Sequence, residues 1–169
     1  EKDKSCCVDL KCSVSANVIK VWAQLAETLQ GKGKGVSSLS GSYLDENQVS
    51  QSKDPIYAKL AHDLHAARLV LYYLNGEYRN AENEITSQRG RGKGPWHFVT
   101  LILHVFKALT YYALARQTKN LKTYTKHAEP FLRTWVLLHS NCPSVNSKAI
   151  VSLLKAEKCS VNQDPVAIE

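Results

Sequence analysis

The 169-residue chain contains no methionine, so a sequence opening on Glu1 reads as a mature form or a fragment from which an initiator has been removed. It has no Asn-x-Ser/Thr triplet, which argues against an N-glycan acceptor. Apolar runs are short: Leu69–Leu74 is representative, far below the roughly 18–20 residues that cross a bilayer. Nothing alternates with period two for long enough to be a strand. Cysteine is missing from the whole middle of the chain, with Cys6, Cys7 and Cys12 at the front and Cys142 and Cys159 at the back. That spacing lacks the two close pairs of a zinc site. It suits a disulfide staple from the leader to the last helix, worth about 4–5 kcal/mol in the chain-entropy account. Five is odd, so one thiol is left free or bridges to another chain. Such a staple implies an oxidising location, secreted or in an organelle lumen. Acidic residues are scarce in one half only. Residues 89–169 hold twelve Lys and Arg against four Asp and Glu, while residues 1–88 hold ten against eleven, so the +7 net charge belongs to the second half.

What is present is helical periodicity, with a 44% hydrophobic composition that supplies one ordinary core. Val18, Trp22, Leu25 and Leu29 recur at steps of 4, 3 and 4, one face of a helix capped by Ser13 or Ser15 and ended by Gly31. From Gly31 to Asp54 the chain turns to Gly, Ser, Lys, Gln and Asn, a long flexible loop by composition. Pro55 opens a second helix at a position where its missing N–H costs nothing, and Asn75-Gly76 breaks it. A short third helix covers Glu77–Gln88. A second Gly/Lys/Arg loop follows at 89–95. From Val99 to Leu114 apolar residues lie on every side, the mark of a helix enclosed by neighbours. A fifth helix follows the Gln117–Asn120 turn, with Pro130 as an expected kink, and a sixth spans Val145–Lys158. The expectation is a single all-α domain over 1–169: a cysteine-bearing leader (1–14), a loop (31–54), a core of antiparallel hairpins (55–158) and a tail (159–169).

The stretch Leu71-Tyr72-Tyr73-Leu74-Asn75-Gly76-Glu77-Tyr78-Arg79-Asn80-Ala81 resembles the helix-turn-helix core of a tetratricopeptide repeat. Gly76 permits the tight exit, Tyr78 covers the open end and the small Ala81 allows close approach. The following stretch, Ala108–Thr118 with Leu121–His139 and Lys148–Glu157, is similar to the degenerate helical repeats found beside signalling ATPase domains. The resemblance covers about residues 55–158 and implies a stack of helical hairpins that serves as a scaffold. No ATPase domain accompanies it, so no activity of that domain is implied.

Catalytic readings find little to stand on. GKGKG and RGRGKG do not satisfy G-x-x-x-x-G-K-[ST], because Lys34 and Lys93 are each followed by Gly, and neither follows a strand. Lys32, Lys34, Arg89, Arg91 and Lys93 remain as cations on two loops. His62 and His65, three apart with Asp63 beside them, have a spacing that suits two imidazoles on one metal, but a polar helix face accounts for them without further ligands. His104 reads as a hydrogen-bonded core histidine. No nucleophile with a partner base is legible, and the second half offers no paired carboxylates. The chain reads as a non-enzyme with no cofactor and no metal.

The electrostatic pattern is sharper. Lys119, Lys122, Lys126 and Arg133 fall at steps of 3, 4 and 7, within a sector of about 60° on a helix turning about 100° per residue. Leu121, Tyr124, Ala128, Phe131, Leu132 and Trp135 take the opposite side. Arg116, Arg89, Arg91 and Lys93 extend the patch. Ordinary solvated helices intersperse both signs, and acidic residues are nearly absent from this half of the chain. The reading is a scaffold or adaptor that docks an acidic protein surface, with a secreted, disulfide-stapled effector acting on a receptor or host protein as the alternative. Nucleic acid or another polyanion is a lesser candidate, because the aromatics pack inward rather than standing among the cations where bases stack.

Overall fold

A computed structural model describes residues 17–51, 55–88, 98–118 and 120–162. It is all-helical: among the described residues there is no strand. The helices are α1 (17–29), α2 (Glu46–Gln51), α3 (Pro55–Leu74), α4 (Tyr78–Ser87), α5 (Phe98–Thr118), α6 (Leu121–Asn141) and α7 (Val145–Asn162). No helix among the described residues is long and apolar enough to cross a membrane. The chain divides into two compact units, Glu1–Asn75 and Gly76–Glu169. The boundary falls inside the segment that carries the tetratricopeptide resemblance.

In the first unit α1 ends as its Gly predicts. Gly31 adopts φ +74°, and the N–H groups of Gly31 and Lys32 bond back to the carbonyls of Thr28 and Glu27 at 2.9 and 3.0 Å, satisfying carbonyls that the helix end leaves open. The sequence reads 31–54 as loop throughout, but it contains α2, begun by Asp45, whose carboxylate accepts from Asn47 N–H at 2.9 Å. Side chains of α1 clasp the loop. Thr28 Oγ1 donates to the Ser38 carbonyl at 3.1 Å, Gln24 Oε1 accepts from Tyr43 N–H at 3.1 Å, and both Glu27 carboxylate oxygens accept from Ser42. These last bonds hold the Glu27 carboxyl below the usual carboxylate range. Gly41 belongs to the same clasp, since a Cβ there would lie 2.5 Å from Gln24 Nε2 and Glu27 Oε2. Glu46 links onward, accepting from Ser38 Oγ at 3.1 Å and pairing with Arg68 of α3 at 3.0 Å. Val21, Leu25, Leu39, Leu60, Leu64 and Leu69 are all buried.

The second unit is built on α5, which packs against α4, α6 and α7, while α6 also packs on α7. Every residue from Ala108 to Ala115 is buried, whereas of residues 99–107 only Leu103 is, so the enclosure expected from Val99 to Leu114 holds for the second half of α5. Ala81 and Ile85 are the buried positions of α4, and Tyr124, Ala128, Leu132 and Trp135 those of α6. The inward side of α6 read from the sequence is therefore the observed one, although Leu121 and Phe131 are only half-buried. α6 runs through Pro130 as one helix. Ser144 starts α7 with a reciprocal cap: its Oγ accepts from Ser147 N–H at 3.1 Å, and Ser147 Oγ accepts from Ser144 N–H at 3.0 Å. Two orphan donors at the helix start are satisfied this way.

Candidate functional site

The polar outer side of α6 follows from its periodicity. With four residues facing the core, the positions between them stay in solvent, and Lys122, Lys126 and Arg133 are all exposed. Lys122 and Lys126 border one shallow depression with Leu121, Thr125 and Glu129. Among the described residues neither lysine forms an ion pair. Arg133 behaves differently, with its Nε 3.4 Å from Glu129 Oε1, one turn back on the same helix. Arg116, at the end of α5, reaches α7, where its guanidinium donates to Glu157 and, at 3.1 Å, to Ser160 Oγ. It ties α5 to α7 while remaining exposed. Lys119, Arg89, Arg91 and Lys93 lie outside the described residues, as do Cys6, Cys7 and Cys12. Cys142 and Cys159 are exposed, and among the described residues they form no disulfide.

The hub of this face is an acid that the sequence reading passed over. Glu129 receives Lys158 Nζ of α7 at 2.7 Å as well as Arg133. The bond from Lys158 is the main reason its carboxyl sits below the usual range. The i,i+4 spacing of Glu129 and Arg133 was legible; the link to Lys158, 29 residues on, was not. Glu129→Gln is expected to cost about 1 kcal/mol at neutral pH, as partly screened pairs do. A carboxyl whose pKa is depressed on folding contributes above its ordinary pKa and loses that contribution as pH falls through the folded value. The gap between wild type and variant in urea unfolding should therefore be present at pH 7 and closed at pH 2.

Away from the cations, the α5–α6 contact is aromatic. Tyr111 stacks with Tyr124 and Phe131 at centroid distances of 6.2 and 6.4 Å and meets His127 at 5.3 Å. Tyr124 OH accepts from Arg79 of α4 at 2.8 Å, and that arginine also pairs with Glu82. His104 lies 5.3 Å from Phe131, and burial, then the nearby Lys107 charge, keeps its imidazole pKa low. Lys107 sits 6.0 Å over the Phe131 ring and is itself lowered by burial. In the first unit His62 is exposed while His65 is buried. Among the described residues no three His, Cys, Asp or Glu side chains gather where they could hold a metal ion.

Comparison with known proteins finds no matching family model, no matching curated protein and no matching solved structure.

Proposed function

We propose that this chain is a non-catalytic interaction scaffold or adaptor subunit, built from tetratricopeptide-like hairpins, that docks an acidic protein surface through the outer side of α6. The observation that carries the reading is the uneven fate of the cations. Arg116, Arg133 and Lys158 each pair with Glu157 or Glu129, whereas among the described residues Lys122 and Lys126 stand exposed one turn apart with no ion-pair partner. Unpaired charge of one sign on a rigid helix orients and accelerates an encounter with a surface of the other sign more than it adds raw affinity. The staple belongs to the same proposal: Cys6, Cys7 or Cys12 would bond to Cys142 or Cys159 in an oxidising compartment. Five free thiols in native protein from its source would remove that part.

The double charge reversal Lys122→Glu with Lys126→Glu tests the docking face. With poly-L-glutamate as the probe at low salt, binding is expected to fall at least tenfold while the far-ultraviolet circular dichroism stays unchanged. Equal binding by both proteins would reduce the stripe to solvation. A random DNA duplex across a salt series separates the polyanion reading: binding that is tighter than to poly-L-glutamate, with a steep salt slope, would replace a protein partner by nucleic acid.

A further inference from the structure

α6 and α7 run antiparallel: His139 Nδ1 lies 2.8 Å from Ser147 Oγ near the turn that joins them, and Glu129 Oε2 accepts from Lys158 Nζ at 2.7 Å farther along. Between the two helices lies an open groove of about 520 Å³. Buried Leu132 lines it together with Val136 and Leu137, which are 37% and 63% exposed. One exposed leucine is ordinary. Here the apolar side chains are framed by charge, because Arg133, Lys155 and Lys158 line the same groove against the single carboxylate of Glu129, which leaves its rim net positive. At Glu129 the groove adjoins the shallow depression bordered by Lys122 and Lys126. From Lys122 through Lys126, Glu129 and Arg133 to Leu137 the steps are 4, 3, 4 and 4, one side of α6 over about four turns or roughly 22 Å.

We propose that this groove receives an acidic amphipathic helix of a partner protein, which sets apolar side chains against Leu132, Val136 and Leu137 and carboxylates against Arg133, Lys155 and Lys158. The inference rests on the docking reading, whose side of α6 it shares, and gives that partner a shape. Charge selects the occupant. A second copy of the chain would bring the same three cations against their own kind, which opposes association, whereas carboxylates at those positions favour it. The hollow between two antiparallel helices is one that a third helix fills ridge into groove, with anchors spaced at i, i+3 and i+4 supplying the apolar contacts. A lipid surface takes up a projecting apolar face, but these side chains line a hollow.

The probe is a fluorescein-labelled peptide of leucine, alanine and glutamate, about 18 residues long to cover the four turns, with its leucines on one helical face. Its control has the same composition with the leucines spread around the helix. Fluorescence anisotropy with the full chain is expected to show the patterned peptide binding about tenfold more tightly than the control. Leu137 is exposed, so Leu137→Ser should leave the circular dichroism unchanged and weaken the patterned peptide about fivefold. The same variant should bind poly-L-glutamate as wild type does, since that polymer brings no apolar side chain. Lys155→Glu, also at an exposed position, should weaken the patterned peptide about tenfold. Equal affinity for the two peptides, or a patterned peptide indifferent to Leu137→Ser or to Lys155→Glu, would overturn the groove proposal even if reversal of Lys122 and Lys126 lowers poly-L-glutamate binding. Failure of the docking reading shows separately, as poly-L-glutamate binding that ignores that reversal. A concentration-dependent dimer dissolved by Leu137→Ser, in a chain that does not bind the peptide, would assign the groove to a second copy. Binding to phosphatidylserine-containing vesicles that Leu137→Ser abolishes, again without peptide binding, would assign it to lipid.

Discussion

Tyr112→Ala is expected to cost about 3–5 kcal/mol of unfolding free energy, and Tyr112→Phe close to nothing. The side chain is fully buried in the middle of the α5 run, so alanine leaves a cavity that the packed helices around α5 close only in part. Its hydroxyl is buried with no hydrogen-bond partner. Removing the oxygen alone breaks no bond and relieves a desolvation cost, so phenylalanine is neutral or slightly stabilising. Urea unfolding followed by circular dichroism reads both. The same hydroxyl gives an alkaline signature. Burial, and after it the carboxylates of Glu129 and Glu157, push the phenol up to about 12 from an ordinary 10.0. Between those values the unfolded chain releases a proton that the native state retains. The contribution is complete below pH 10 and is lost as pH climbs through the folded value, on the order of 2 kcal/mol in all. Lysines also titrate in this range, so the measurement is the difference between wild type and Tyr112→Phe, which should widen from pH 9 to pH 12. Parallel curves would show that Tyr112 ionises as freely in the native state as in the unfolded chain.

Leu39→Ala should destabilise the first unit by about 2–5 kcal/mol, while Val36→Ala, three residues earlier, leaves it within about 0.5 kcal/mol. Leu39 is 0% exposed and Val36 75% exposed, in a segment whose composition shows nothing to separate them. The difference comes from the clasp, in which Thr28, Gln24 and Glu27 hold the loop backbone on both sides of Leu39. Loss of the anchor should also open the Lys32 and Lys34 peptide bonds to trypsin. Limited proteolysis of the two variants provides the second readout. Equal stability and equal cleavage would mean that the loop is not anchored through Leu39.

Residues 31–54 show why the reading from sequence ran out where it did. Periodicity reports how one helix sorts its own residues between core and water. Nothing in a Gly-, Ser- and Asn-rich stretch repeats at a helical step, so the six-residue α2 and the buried Leu39 left no pattern to find. The clasp is made of hydrogen bonds between residues 10 to 19 apart, and composition does not encode such pairings. The cationic face divides in the same way. The exposure of Lys122, Lys126 and Arg133 was legible because these three lie on one helix. That Arg116 and Lys158 are spent on Glu157 and Glu129 was not legible, because those partners meet only when α7 packs on α5 and α6.

By itself, the order of residues determined the helical class, the helix ends at Gly31, at Asn75-Gly76 and before Val145, the enclosed character of the second half of α5 and the inward side of α6. These are consequences of short-range chemistry: positive φ at glycine, a capping hydroxyl and the 3.6-residue repeat. Only the tertiary structure decided which of the described cations meet a carboxylate and how the first loop is held. Each of these depends on groups from distant parts of the chain coming within a few ångströms, which packing alone arranges.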